Sequence, residues 1–306
     1  MYKIQILFIS FLLLSACSGS YDELDEHKTR VEYAGLELRL PKLFIKEKAN
    51  DYSFQSKDKA FSMVVYSSAK GFADMKQRML DNKDTSLWRK FILRFFNDND
   101  IEEQTRFDNY QHISYARKYG EDGFVVIKFD IDSNSDEMHG KFSAIARASL
   151  QTLSFLETDI DRSAGLDYSV APITDMSINY RMNTVVGYQK NDIRLAVSYL
   201  DNSFLEHVDQ YIDYNLVSDK GLKCEDNVIE QSDIVVVSGK TVHRELRSQQ
   251  CDTTVVKQYL TRVPHHDNTS FIISTRLSED KGNRDAIEFY NEFLAKLSFN
   301  KVGGVP

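Results

Sequence analysis

The chain has 306 residues, with 38 Lys and Arg against 46 Asp and Glu for a formal charge of -8 at pH 7, and 42% apolar residues. That balance carries no basic footprint of the kind that holds nucleic acid, and it argues against electrostatic adhesion to anionic lipid. The length exceeds a typical single domain and the apolar content can build real cores, so two domains are expected.

At the start of the chain, Lys3 precedes an apolar run from Ile4 to Leu14 and then Ser15, Ala16 and Cys17. A positive residue, a short hydrophobic stretch and small residues before a cysteine read as a bacterial lipoprotein signal over residues 1–16, with palmitate-type acylation of Cys17. The run is too short for a transmembrane anchor, since a bilayer core needs about 20 apolar residues. Several acyl chains on one cysteine, at about 0.8 kcal/mol per buried methylene, hold a protein durably on a membrane. Ser18 follows the cysteine, and in Gram-negative lipoproteins an acid there signals inner-membrane retention. The expectation is a protein of the cell envelope, on the outer membrane and facing the periplasm.

Residues 17–30, polar and acid-rich, read as a flexible tether. The first domain is expected over 31–157. Its strands are 35–41, 52–56 and 61–69, and a helix opens at Phe72. A second helix is expected over Ser86 to Asp98, with Leu87, Trp88, Phe91, Ile92, Phe95 and Phe96 on one apolar stripe. The runs 107–119 and 124–132 form a hairpin through the turn Gly120 to Gly123, and a helix spans 141–155. Residues 158–174, punctuated by Gly165 and Pro172, read as a linker.

The second domain, 175–302, repeats this order. Strands at 176–182, 185–190 and 193–201 lead to a helix opening at Phe204. Strands follow at 233–246, with a turn or bulge at Gly239, at 253–263 and from Phe271, and a helix spans 286–299. Phe61 to Phe72 and Ile193 to Phe204 are both eleven residues apart, and each half closes on Leu-Ser-Phe, at 153–155 and 297–299. Matching order, spacing and ending point to duplication. The order of elements suits an α+β class, two similar domains each with an antiparallel sheet packed by helices. With Cys17 acylated, Cys224 and Cys251 are an even pair in an oxidising compartment. A disulfide between them would contribute about 3 to 4 kcal/mol; two unpaired thiols are the alternative.

The pattern GLELRLP, then FSMVVYSSA, a helix, a long antiparallel hairpin and a last helix ending near LSF resembles a PsbP-like domain. The resemblance covers roughly residues 31–156 and 175–300. It implies an α/β/α sandwich fold, found in photosystem accessory subunits and in bacterial envelope lipoproteins, and brings no catalytic motif. The two-domain layout is also similar to lipoproteins that neutralise type VI secretion toxins.

No nucleophile elbow, phosphate loop, dinucleotide fingerprint or zinc-protease motif occurs in the sequence, so no catalytic residue and no cofactor are expected. Asp130, Asp132, Asn134 and Asp136 alternate as in the opening of a calcium loop. Ser135 replaces the required glycine and Lys141 the bidentate glutamate, so a solvated loop is expected. His265 and His266, with His243, lack a third ligand placed by spacing, and no metal is expected. The stripe bearing Trp88, Phe95 and Phe96 either covers the first sheet or presents aromatic anchors to a protein partner. The functional expectation is a lipid-anchored, non-enzymatic protein that binds another protein, such as a secreted toxin, and no nucleic acid. The alternative is a structural or assembly lipoprotein of an envelope complex.

Overall fold

In the computed structural model the described residues are 20–46, 54–81, 90–156, 160–182, 184–201, 228–251, 254–265, 269–277 and 283–299. The chain divides into two compact units, Met1–Gly165 with Tyr180–Asn183, and Leu166–Asn179 with Thr184–Pro306.

The first unit opens with β1 (Leu24–Val31), a 3-10 turn (Glu32–Ala34) and β2 (Leu36–Pro41). β1 lies where the sequence reads as a tether. Leu24 and Val31 are buried at its two ends, and the polar residues between them face outward. Next come β3 (Phe44–Lys46), β4 (Phe54–Ser56), β5 (Phe61–Ser68) and helix α1 (Phe72–Asp81). β6 (Lys90–Phe95), β7 (Asp100–Phe107), β8 (Tyr110–Tyr119) and β9 (Gly123–Asp132) follow, then helix α2 (Asp136–Gln151) and β10 (Ser154–Phe155). The antiparallel ladder runs β4, β5, β9, β8, β7, β6. β5 alternates buried Phe61, Met63 and Val65 with half-buried residues, as a strand with one deeply covered face should. Its buried face meets Ile127, Phe129 and Ile131 of β9 and is closed by Phe142, Ile145 and Ala146 of α2. The Phe61 and Phe142 rings stack at 4.8 Å. Ser135 caps α2 by accepting from the Met138 amide. The opposite face is covered in part by α1, through Phe72 and Met79 against Ile101, Ala116 and Phe124.

The helix expected over Ser86 to Asp98 is corrected by β6. Lys90–Phe95 pairs with β7 from Lys90↔Arg106 to Phe95↔Ile101. A short apolar run fits either period, and here pairing with β7 decides for the strand. The expected strand 107–119 also divides, because Asp108 turns the chain at a φ of 39° between β7 and β8.

The second unit holds β11 (Tyr168–Val170), β13 (Val185–Lys190), β14 (Ile193–Asp201), β15 (Val228–Val237), β16 (Lys240–Cys251), β17 (Thr254–Pro264), β18 (Thr269–Leu277), helix α3 (Arg284–Lys296) and β19 (Leu297–Phe299). Its ladder runs β15, β16, β17, β18, β14, β13, all antiparallel. Ser238 and Gly239, with φ of 50° and 78°, make the two-residue turn between β15 and β16, the left-handed geometry that matches strand twist. α3 presents Ala286, Phe289, Tyr290, Phe293 and Leu294 to Leu195, Val197, Val263, Phe271 and Ile273. Burying a phenylalanine in this way contributes roughly 2 to 3 kcal/mol. Between the two ladders in sequence lies β12 (Met176–Met182); its residues Tyr180, Arg181 and Met182, which belong to the first unit, pair with Ser68, Ser67 and Tyr66 of β5.

The expected α+β class is therefore corrected. Among the described residues there are nineteen strands against three α-helices, and fourteen of the strands lie in the long antiparallel ladders. The chain is mostly β. Backbone hydrogen bonding between distant strands, rather than helices laid over a small sheet, organises most of it.

Candidate functional site

The candidate surface of the first unit is built at the β6–β7 hairpin. β6 is the terminal strand of its ladder among the described residues. At its end the chain turns through Asn97 to Asn99, with the Phe96 amide donating to the Asp100 carbonyl at 3.0 Å. Asn97 donates to the Asp100 carboxylate at 2.6 Å and accepts from the Asn99 amide at 2.7 Å. Asp100 also receives Arg117 Nε at 2.5 Å, Arg117 Nη2 at 3.1 Å and the Tyr115 hydroxyl at 2.8 Å. Burial pushes the Asp100 carboxyl up, but the hydrogen bonds from Arg117, Asn97 and Tyr115 outweigh it and hold the group below the ordinary carboxylate value. Burial and the bond to Asp100 push the Tyr115 phenol up to about 12.

This braced tip carries Phe95 and Phe96, which are 46% and 58% exposed. Lys76 Nζ lies 5.3 Å from the Phe95 ring and the Phe96 ring stands 6.3 Å from that of Tyr115. Two of the three residues singled out for partner binding are thus at the surface. Trp88 lies outside the described residues.

Register places a polar group beside the apolar side chains of β6 on the same face. Thr105 stands opposite His112, and His112 opposite Asp130. The Thr105 hydroxyl is 2.9 Å from His112 Nδ1 and 3.0 Å from Nε2, and Glu103 lies 3.5 Å from Nε2. Lys128 pairs with Asp130 at 2.9 Å and donates to the Tyr110 hydroxyl at 3.2 Å, while Tyr110 donates to Asp130. Burial and the Asp130 bond push the Tyr110 phenol up to about 12. Burial lowers the Lys128 ammonium, but attraction to Asp130 and Tyr110 leaves it raised. Thr105 is fully buried, so its hydroxyl offers no nucleophile to a substrate.

In the second unit, β15 is the terminal strand of its ladder among the described residues and exposes Ile234 (67%) and Val236 (64%), with Val228 and Ile229 also exposed. The sequence places a strand over 233–246 with a turn or bulge at Gly239, and the structure extends its first arm back to Val228. Along this strand Ile234 and Val236 face solvent, while Val235 is half-buried and Val237 buried.

The remaining predicted residues do not converge. Asp130 is held as above, Asp132 accepts from Asn109 at 3.0 Å and Asp136 pairs with Arg106. His265 packs on Phe271 and Phe299, whereas His243 is exposed and lies 3.3 Å from Ser232. No group of three or more His, Cys, Asp or Glu is arranged for a metal among the described residues. Cys17, Cys224 and His266 lie outside the described residues, and Cys251 ends β16. No described helix is long and apolar enough to cross a membrane, which says nothing of a β-barrel.

No family model matches the chain, and no curated protein matches it. Among solved structures, the chain is similar to cyanobacterial PsbP from Synechocystis sp. PCC 6803 at 8% identity and a TM-score of 0.29, over 44% of this chain and 95% of that one. It is similar to the type VI secretion immunity protein TplEi of Pseudomonas aeruginosa at 10% identity and a TM-score of 0.28, over 89% and 97% of the two chains. A chain of the Tle4–Tli4 complex matches at 10% identity and a TM-score of 0.30, over 87% and 95%. Scores this low carry no argument about function, which rests on this chain's own residues.

Proposed function

We propose that this chain is a lipid-anchored envelope protein that acts without catalysis, by binding a basic protein such as a secreted type VI toxin. The observation that carries this reading is the pair Phe95 and Phe96, large aromatic side chains exposed on a hairpin tip that the Asp100 network holds rigid. Rigid exposed aromatics are the side chains that dominate binding energy when a partner covers them. The apolar surface of β15 supports the same reading, since a terminal strand with exposed aliphatic residues is a template for strand addition. The net charge of -8 favours a basic partner through steering and complementarity. Acylation at Cys17 would concentrate the protein where an incoming toxin arrives.

The test is competition between a deletion strain and toxin-delivering neighbours, with complementation by the wild type or by a Phe95→Ser, Phe96→Ser variant. The deletion is expected to be killed, the wild type to protect, and the variant to protect poorly while accumulating normally. Survival of the deletion strain at wild-type level would refute the proposal. An envelope-integrity defect without attackers would instead assign an assembly role. Metabolic labelling with palmitate, lost in Cys17→Ser, tests the anchor separately.

A further inference from the structure

We infer that Arg181 and Ser67 form a binding site for a small oxyanion, a carboxylate or a phosphate group. The two residues face each other directly across the antiparallel pairing of β12 with β5, and both belong to the first unit. Arg181 is 2% exposed and Ser67 fully buried. The Arg181 Nε and Nη1 and the Ser67 hydroxyl are all buried without a hydrogen-bond partner among the described residues.

Among the other half-buried arginines, Arg162 donates to the Ser68 carbonyl and Arg147 to the Gln104 side-chain carbonyl. Arg117 has Asp100, Arg244 has Asp233, and Arg247 has Glu245. Arg181 has an aromatic ring: its guanidinium carbon lies 5.1 Å from the centroid of Tyr33. Stacking occupies the flat face of a guanidinium, whereas the N–H bonds lie in its plane, so a ring cannot accept them. A buried cation with in-plane donors unused, on a residue paired across the strands with one whose hydroxyl is also unused, lacks one component, an acceptor that brings negative charge. An oxyanion supplies both. It takes the guanidinium protons on its oxygens and accepts from Ser67, while Tyr33 backs the cation and keeps water away.

The test is thermal unfolding of the purified full chain in chloride at fixed ionic strength, with inorganic phosphate or acetate replacing part of the chloride. A saturable rise of about 3 to 6 °C is expected for the wild type with anion at about ten times its dissociation constant. A response to phosphate alone assigns a phosphate group and a response to acetate alone a carboxylate. Arg181→Met should show no anion-specific rise, and in chloride its midpoint should equal or exceed that of the wild type, because an uncompensated buried charge has been removed. No anion-specific rise in the wild type, or the same rise in Arg181→Met, overturns the inference. Should Arg181→Met fail to fold, Ser67→Ala decides. A weaker half-saturation supports the site and an unchanged one overturns it.

Discussion

The strongest test of the second unit's packing is Tyr290, the fully buried tyrosine of α3. Its hydroxyl lies 2.8 Å from Thr261 Oγ1 and 2.9 Å from the Ile273 carbonyl. A carbonyl only accepts, so the single phenolic proton goes to Ile273 and the Thr261 hydroxyl donates to the phenol. Burial holds the phenol neutral, well above its ordinary range. Tyr290→Phe removes a donor from a buried carbonyl and an acceptor from a buried hydroxyl. Leaving buried polar groups unpaired costs about 1 to 3 kcal/mol, so a loss near 2 kcal/mol is expected. Thr261→Val, close in shape, removes one partner but leaves the bond to Ile273, for a loss of roughly 1 kcal/mol. In the double variant the orphaned hydroxyl is gone, so the total should fall short of the sum by about 1 kcal/mol. Urea unfolding followed by circular dichroism reads all four proteins, and hydrogen exchange of the α3 amides assigns the effect to this unit. A Tyr290→Phe loss below about 0.5 kcal/mol, or strict additivity, would refute the chain of hydrogen bonds.

Other consequences follow from local geometry. Asp100, whose folded pKa lies below its unfolded value, adds stability that is present above the ordinary carboxylate pKa and is lost as pH falls through the folded one. The stability gap between wild type and Asp100→Asn should therefore shrink below about pH 4, and a gap that widens there would contradict the network. At Gly123 an added Cβ would meet the carbonyl oxygens of Tyr119, Ser68 and Ala69 at 2.8, 3.0 and 3.1 Å. Gly123→Ala should cost about 1 to 3 kcal/mol by chemical denaturation. Gly120→Ala, in open space at a φ of 62°, should cost nearer 1 kcal/mol. Because Phe95 and Phe96 are exposed, replacing each with serine should change folding stability by less than about 0.5 kcal/mol. A loss several times larger would place the pair in the core.

The candidate surface was legible in kind but not in form. Trp88, Phe95 and Phe96 stood out as aromatic residues in a charged stretch, and their spacing suggested a helix. Phe95 instead ends a strand, since a six-residue run such as KFILRF satisfies both periods and only pairing with β7 decides between them. β7 itself, DIEEQTRF, was missed because its polar side chains Glu103 and Thr105 are buried, which reverses the usual pattern. The exposed face of β15 escaped notice because apolar residues are ordinarily read as core.

What sequence alone determined is local. The alternation in β5 and β9, the apolar faces of α2 and α3 and the turn at Gly239 follow from side-chain period and backbone sterics within a few residues. Tertiary structure decided what depends on partners far along the chain. It made β6 a strand, set the predominance of antiparallel ladders over helices, exposed Phe95 and Phe96, and placed Arg181 opposite Ser67 with no acid paired to it among the described residues. The physical reason is that a strand completes its hydrogen bonds only on another strand, so neither its identity nor the surroundings of its side chains are encoded within the strand itself.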